Sequence, residues 1–283
     1  MSLYDDDEVD VSSTSNPRVR SLVELRKRRV RDQQQVAVLE GHAELALALE
    51  AGVVPREVYY SPSLVRDALP LNALERARAH GTKVISLSES AFRKASYRDS
   101  PDGWLAVVES PARPLEELEL FQPALVLVCE AIEKPGNLGA MLRTAEAVGA
   151  DAVVAASPVA DWGNPNVIRA SKGTVFAVPV ASAPAVDVIS WLRSNGVAMV
   201  VATPDADALL SDADLTGSTA IVVGSEHEGV SGEFREAAAA MARLPMFGQV
   251  DSLNVATAAA VALYEVRRQR GSRGGAHLPH SDR

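Results

Sequence analysis

One cysteine in 283 residues and an aromatic content of 5% remove several classes of protein at once. The lone thiol, Cys129, can build neither a disulfide framework nor a multi-cysteine zinc site. It ends the apolar run Leu125–Cys129 and reads as a buried core thiol rather than a nucleophile. No stretch approaches the ~20 apolar residues of a membrane span. The first residues, MSLYDDDEVD, are acidic, unlike a secretory signal, so the expected location is cytoplasmic. Two nucleotide-binding signatures are also missing. No G-x-G-x-x-G follows the first strand of the second half, and G-x-x-x-x-G-K-[ST] occurs nowhere. Dinucleotide redox chemistry and P-loop phosphoryl transfer therefore lose their support.

What is present is ordinary globular material, 47% hydrophobic and 23% charged, in a chain long enough for two domains. The net charge of −9 opposes nucleic acid as a partner, but the charge is unevenly placed. Asp5, Asp6, Asp7, Glu8 and Asp10 form an acidic leader, and Arg18, Arg20, Arg26, Lys27, Arg28, Arg29 and Arg31 follow within one short segment. Salt screens distant charge over about 8–10 Å, so such a stripe can still bind phosphates, or it can be a solvated helix face.

Along the chain, residues 1–16 lack apolar periodicity and read as a disordered leader. Helices are expected over Val19–Gln34, Gly41–Glu50 and Ala73–Ala79, and strands over Glu57–Tyr60, Lys83–Leu87 and Trp104–Glu109. The sequence Ser110-Pro111-Ala112-Arg113-Pro114 breaks this pattern, giving domains at 17–112 and 123–270 with a linker at 113–122. The second half alternates short apolar runs (Ala124–Cys129, Ala152–Ala156, Val175–Val180, Ala198–Ala202, Ala220–Val223) with helical segments (Leu138–Val148, Val167–Ser171, Ala185–Ser194, Glu233–Ala242). A long helix from about Ser252 closes it, and residues 271–283 read as a disordered tail. Strands buried on both faces between helices imply an α/β fold with a mostly parallel sheet, whose ligands bind in loops beyond the strands' carboxyl ends.

Three of those loops carry polar residues that packing does not demand. The first runs from Glu133 to Thr144, where Asn137 suits a helix N-cap and Arg143 sits further along the helix. The second, Gly224–Ser231, puts glycines and Glu226 after a strand, with His227 as a further candidate base. The third, from Leu244, turns at Gly248–Asp251 and sets Ser252 and Asn254 between two apolar runs.

The segments PGNLGAMLRTAEAVGA, IVVGSEHEGVS and LPMFGQVDSLNVATAAAVALYE resemble, in order and context, the three motifs of the SPOUT methyltransferases. Within these the chain resembles the TrmH or SpoU branch, S-adenosylmethionine-dependent RNA ribose 2′-O-methyltransferases. The resemblance spans Pro17 to Arg268, and the first domain is similar to an L30e-like RNA-binding extension. It implies a deep trefoil knot in the C-terminal sheet and a homodimer through the knot domain with the active site at its interface. No metal is expected. Carried over by motif position, Gly224, Leu244 and Leu253 contact the cofactor, with Thr203, Ser225 and Met246 completing the cofactor-binding set as neighbours, and Asn137, Arg143, Glu226, Ser252 and Asn254 match the catalytic positions. Leu244 stands where isoleucine is frequent and Asp251 where glutamate is frequent.

The expected reaction is in-line methyl transfer to a ribose 2′-hydroxyl of structured RNA, with the basic segment docking the RNA. Ribosomal RNA (23S) is favoured over transfer RNA by the L30e-like extension. A knotted RNA-binding or ribosome-assembly protein without catalysis is the alternative from another class. Relatives that protect a ribosome against avilamycin-type or thiopeptide antibiotics extend the expectation to resistance. Arginine, with a pKa above 12, is a poor general base, so Arg143 is expected to position the target phosphate.

Overall fold

The computed structural model describes residues 10–271. The chain forms two compact units, divided between Ala112 and Arg113, and the first unit takes back Asp161–Ala177 from the second half.

In the first unit, Asn16 caps helix α1 (Pro17–Glu24) by accepting from the Arg18 N–H, and Pro17 supplies a preset first helical residue. Helix α2 (Arg28–Gln34) follows. The single helix expected over Val19–Gln34 is therefore broken around Leu25–Lys27. The carbonyls of Leu25 and Arg26 are taken by the Arg31 guanidinium at 2.9 and 3.0 Å, and the Leu25 carbonyl also by the Tyr97 hydroxyl at 2.7 Å. Strand β1 (Val36–Glu40) precedes α3 (His42–Glu50), β2 (Glu57–Tyr60), α4 (Leu71–Ala79), β3 (Lys83–Ser86), α5 (Glu89–Ala95) and β4 (Trp104–Glu109). The strand order is β1-β4-β2-β3, with β4 antiparallel to both neighbours and β2 parallel to β3.

The leader expected to be disordered is ordered over its described part. Asp10 accepts from the Ser86 N–H and hydroxyl at 2.7 and 2.9 Å, and Val11 is buried and bridges Leu87. Residues 1–9, with the other leader acids, and residues 272–283 of the expected tail lie outside the described residues.

The second unit is entered through a short edge strand, β5 (Ala112–Arg113), and continues with β6 (Leu125–Glu130), α6 (Pro135–Ala147) and β7 (Ala152–Ala156). Helix α7 (Pro165–Ala170) belongs to the first unit, where it packs on β1. The second unit resumes with β8 (Val180–Ala183), α8 (Ala185–Ser194), β9 (Ala198–Ala202), β10 (Thr219–Val223), α9 (Gly232–Ala237), β11 (Ala240–Ala242) and α10 (Val255–Gly271). Among the described residues the sheet runs β11-β9-β10-β6-β7-β8-β5, and the pairs from β11 to β8 are parallel. This is the expected α/β class. Strands β6, β7 and β10 are buried at every residue, which explains their unbroken apolar runs.

Three expectations shift. The linker at 113–122 is part of the second unit, because Leu115 and Leu118 join its core at 7% exposure each. The strand expected over Val175–Val180 is a 3-10 turn at Thr174–Phe176, set off by left-handed Gly173, and pairing begins at Val180 after Pro179, which has no N–H to donate. The helix expected over Glu233–Ala242 stops at Ala237, and extended Ala238 leads into β11.

The sheet order reverses at β6, whose sequence successor β7 lies on one side and β10 on the other. Crevices at the carboxyl ends of strands beside such a reversal are where open α/β sheets bind ligands.

Candidate functional site

The loops after β9, β10 and β11 enclose a cavity of about 320 Å³. All six residues expected to hold a cofactor line it: Thr203, Gly224, Ser225, Leu244, Met246 and Leu253, together with Glu226, His227 and Ser252. The β10 loop folds back on itself, with the Gly229 N–H donating to the Ser225 carbonyl at 3.0 Å. That return brings the chain so close that a Cβ on Gly224 would sit 2.0 Å from the Gly229 carbonyl oxygen and 2.5 Å from the Val230 nitrogen. Gly229 itself turns with φ of +70°. Gly224 is thus required by its own loop as well as by anything that occupies the cavity.

At the cavity edge, three predicted catalytic side chains meet. The Asn137 amide donates to the Glu226 Oε1 in a short contact, and the Asn254 Nδ2 donates to the Asn137 Oδ1 at 3.2 Å. Lys134 Nζ approaches the same Glu226 oxygen at 3.4 Å. One hydrogen-bonded chain therefore links the loops after β6, β10 and β11. Asn137 does not take the capping role expected of it on α6, whereas Asn254 does cap α10, its Oδ1 accepting from the Ala256 N–H at 3.0 Å. Asn137 is already inside α6, which begins two residues earlier after Lys134, a position with no side-chain cap. Its amide is therefore free to reach across to Glu226.

Arg143 is not brought into this cluster. It lies six residues after Asn137 on α6, roughly 9 Å along the axis and about 120° around it. It is exposed, and its guanidinium makes no ion pair or hydrogen bond among the described residues. Ser252 is exposed at the cavity wall, beside Leu253.

Two wall residues escaped the sequence reading, Asp205 and Arg235. The Arg235 Nη1 donates to the Asp205 Oδ2 at 2.8 Å. Arg235, and then the Thr203 hydroxyl, hold the Asp205 carboxyl at about 2, well below its ordinary range. Neither residue has a motif signature; only the fold brings them to one wall.

The basic segment of the first unit sorts into two groups. Arg20, Arg26, Lys27, Arg28 and Arg29 are exposed. Arg26 lies over the Tyr97 ring, 5.6 Å from its centroid, and Lys27 pairs with Glu24 at 2.7 Å. Arg18 is exposed but pairs with Glu57 at 2.7 Å. Arg31 departs from the expectation of an RNA contact. It is 3% exposed, ion-paired to Asp161 at 2.8 Å, and closed in by the Leu25 and Arg26 carbonyls. Cys129 is buried with its sulfur against the Met141 sulfur at 3.8 Å, and burial pushes its thiol pKa up, so the thiolate is suppressed. Among the described residues no group of three His, Cys, Asp or Glu side chains is placed to hold a metal, and no helix is long and apolar enough to cross a membrane.

Comparison with known proteins adds to this geometry. The chain matches the SpoU rRNA Methylase family over residues 124–264 and the MRM3-like substrate binding domain over residues 16–106. The 23S rRNA (guanosine(2553)-2′-O)-methyltransferase RlmP of Bacillus subtilis is 30% identical, covering 91% of this chain and 98% of its own. The 23S rRNA (uridine(2479)-2′-O)-methyltransferase of Streptomyces viridochromogenes is also 30% identical, covering 84% of this chain and 85% of its own. The crystal structure of an AdoMet-bound rRNA methyltransferase from Sinorhizobium meliloti superposes with a TM-score of 0.82 at 28% identity, over 91% of this chain and 97% of that one.

Proposed function

Because the chain belongs to the SpoU rRNA methylase family, we propose that it transfers the methyl group of S-adenosylmethionine to a ribose 2′-hydroxyl of structured RNA, and that this RNA is 23S ribosomal RNA in the cytoplasm. The observation that carries the reading is the junction of the lined cavity with the Asn137–Glu226–Asn254 chain.

The cavity suits the cofactor. Its volume of about 320 Å³ is within the range of small-molecule sites. Leu244, Met246 and Leu253 provide apolar wall, and the loop around Gly224 provides closely approaching backbone. When bound, S-adenosylmethionine supplies an electrophilic methyl group on a sulfonium. The protein's task is then alignment, which removes the entropy of bringing two reactants together. Glu226, held by Asn137 and Lys134, fixes the polar edge of the cavity, and Asn254 holds Asn137 from the other side. The amides of Asn137 and Asn254, with the Ser252 hydroxyl, orient the target ribose. Arg143 binds the phosphate next to that ribose as a charged group.

Since Arg143 is exposed and lies about 120° around α6 from Asn137, we infer that it serves the site of a second subunit in a homodimer. Exposed apolar side chains support such a pairing: Val261 and Tyr264, three residues apart on α10, are 44% and 57% exposed, and Leu253 stands 38% exposed beside the cavity. The first unit docks the RNA through the exposed cations Arg20, Arg26, Lys27, Arg28 and Arg29.

The test is to incubate the purified protein and labelled S-adenosylmethionine with ribosomal RNA and transfer RNA, then map 2′-O-methyl sites. A single modified ribose in 23S RNA is expected; modification of transfer RNA alone, or none despite cofactor binding, defeats the substrate assignment. Growth of a sensitive host expressing the protein, challenged with an orthosomycin or a thiopeptide, tests a resistance role for that methyl group.

A further inference from the structure

The cavity wall holds a second polar assembly, centred on Arg235. This residue projects from α9, a helix fixed at its start: Ser231 caps it by accepting from the Phe234 N–H at 3.5 Å, and the buried Glu130 accepts from the Ser231 N–H at 2.8 Å. Phe234, next to Arg235, is fully buried. From that anchored position the guanidinium spreads to three acceptors. Nε donates to the Val230 carbonyl at 3.0 Å, Nη1 to the Asp205 Oδ2 at 2.8 Å, and Nη2 to the Thr203 hydroxyl at 3.2 Å. The Thr203 hydroxyl in turn donates to the other Asp205 oxygen in a short contact.

These acceptors lie on two different loops. Thr203 and Asp205 follow β9, and Val230 closes the returning loop after β10. Both loops line the cavity, as do Arg235 and Asp205 themselves. The loop after β10 is the one whose tight return depends on Gly224 and Gly229, and Arg235 Nη2 lies 3.7 Å from where a Cβ on Gly229 would be. A planar fork with donors in three directions can hold such a set, whereas an ammonium is a point charge on a flexible stem.

We propose that Arg235 is a positioning residue for the cofactor, latching the loop after β9 to the loop after β10 and so setting the affinity of the cavity for S-adenosylmethionine. The proposal rests on the reading of this cavity as the cofactor site. The pair is partly open to solvent, with side-chain exposures of 32% for Arg235 and 60% for Asp205. Ion pairs that exposed add little to folding stability. The consequence of removing the latch therefore falls on the geometry of the cavity more than on the stability of the fold.

The experiment is calorimetric titration of the full-length protein with S-adenosylmethionine for the wild type, Arg235→Lys, Arg235→Gln and Asp205→Asn, alongside methyl-transfer kinetics on 23S ribosomal RNA. Arg235→Gln is expected to weaken cofactor binding about tenfold, the scale of losing a charge-assisted hydrogen-bond set. Arg235→Lys is expected to fall close to it, and Asp205→Asn to weaken binding by a smaller factor. The KM for cofactor should rise while kcat at saturating cofactor and affinity for RNA stay near the wild-type values. Cofactor affinity within twofold of wild type in a folded Arg235→Gln protein overturns the latch, as does a loss confined to kcat. If Arg235→Gln fails to fold, Asp205→Asn decides the matter, since unchanged affinity there overturns the latch equally. A wild-type protein that binds no cofactor overturns the reading of the cavity, and the latch with it.

Discussion

Asn254 Nδ2 donates to Asn137 Oδ1 at 3.2 Å, joining two residues 117 positions apart in the chain. The same Asn254 caps α10 through its Oδ1, so one amide holds the helix start with its oxygen and the cavity edge with its nitrogen. This double use separates stability from catalysis in a way that substitution can read out.

Asn254→Asp keeps a capping oxygen but removes the donor to Asn137. It should fold with near wild-type stability and lose methyl transfer. Asn254→Ala removes both, and loss of the cap costs about 1 kcal/mol, seen as a drop of about 2–4 °C in melting temperature for a protein of this size. Thermal melting and single-turnover methyl transfer on the two variants check the separation. Equal activity in Asn254→Asp and the wild type would count against a catalytic role for the amide.

Arg143→Ala should retain cofactor binding and lose activity. Its exposed position, turned from the Asn137 edge of its own chain, makes a sharper forecast. Mixing Arg143→Ala with Asn254→Asp protein under conditions that exchange subunits should restore part of the activity, because one site of the mixed dimer then carries neither substitution. Light scattering would establish the dimer first. No recovery in verified mixed dimers returns Arg143 to its own subunit's site.

Gly224→Ala places a methyl group 2.0 Å from the Gly229 carbonyl oxygen, where backbone rather than a movable side chain must yield. Overpacking of this kind costs about 1–3 kcal/mol. The loop after β10 should reopen, and binding of S-adenosylmethionine should weaken at least about tenfold, the equivalent of 1.4 kcal/mol. Calorimetry checks this, and a variant with intact affinity would show that the loop relaxes without altering the cavity.

The basic segment divides by burial. Arg31→Ala leaves Asp161 without its partner in a site where the two side chains are 4% and 13% exposed. Breaking a buried pair costs about 3–5 kcal/mol, so this variant should unfold at markedly lower denaturant. Arg20→Ala with Arg29→Ala should leave stability unchanged and reduce the salt dependence of RNA binding, by roughly 0.7–0.9 in logarithmic slope for each phosphate that is no longer neutralised. Denaturant melts and filter binding across salt concentrations distinguish the two outcomes.

What could be read in advance follows from where the physical signal is local. Strands β6, β7 and β10 are buried at every position, so their composition alone marks them. Strand β1 is equally buried, but it pairs with β4, nearly seventy positions on, and no local pattern carries that pairing. The turn at Thr174–Phe176 was hidden because Val175, Phe176 and Val178 look like strand residues until Gly173 and Pro179 are weighed as breakers. Of the residues lining the cavity, Gly224, Leu244 and Leu253 were legible through motif resemblance. Asn137 looked like a helix cap, and only the position of its amide shows that it reaches Glu226 instead. Asp205 and Arg235 were invisible because each is an ordinary surface residue until the sheet sets β9 beside β10.

Arg31 and Asp161 are 130 residues apart, and the stretch Asp161–Ala177 belongs to the first unit although β6, α6 and β7 come before it. On the ribosome, the N-terminal half emerges without the segment that neutralises Arg31 and covers β1. It must wait, with that guanidinium unmatched, until β6, α6 and β7 have been made. Neither half can be cut out as an uninterrupted gene fragment, and a truncation after residue 112 would yield a first unit with an open seam.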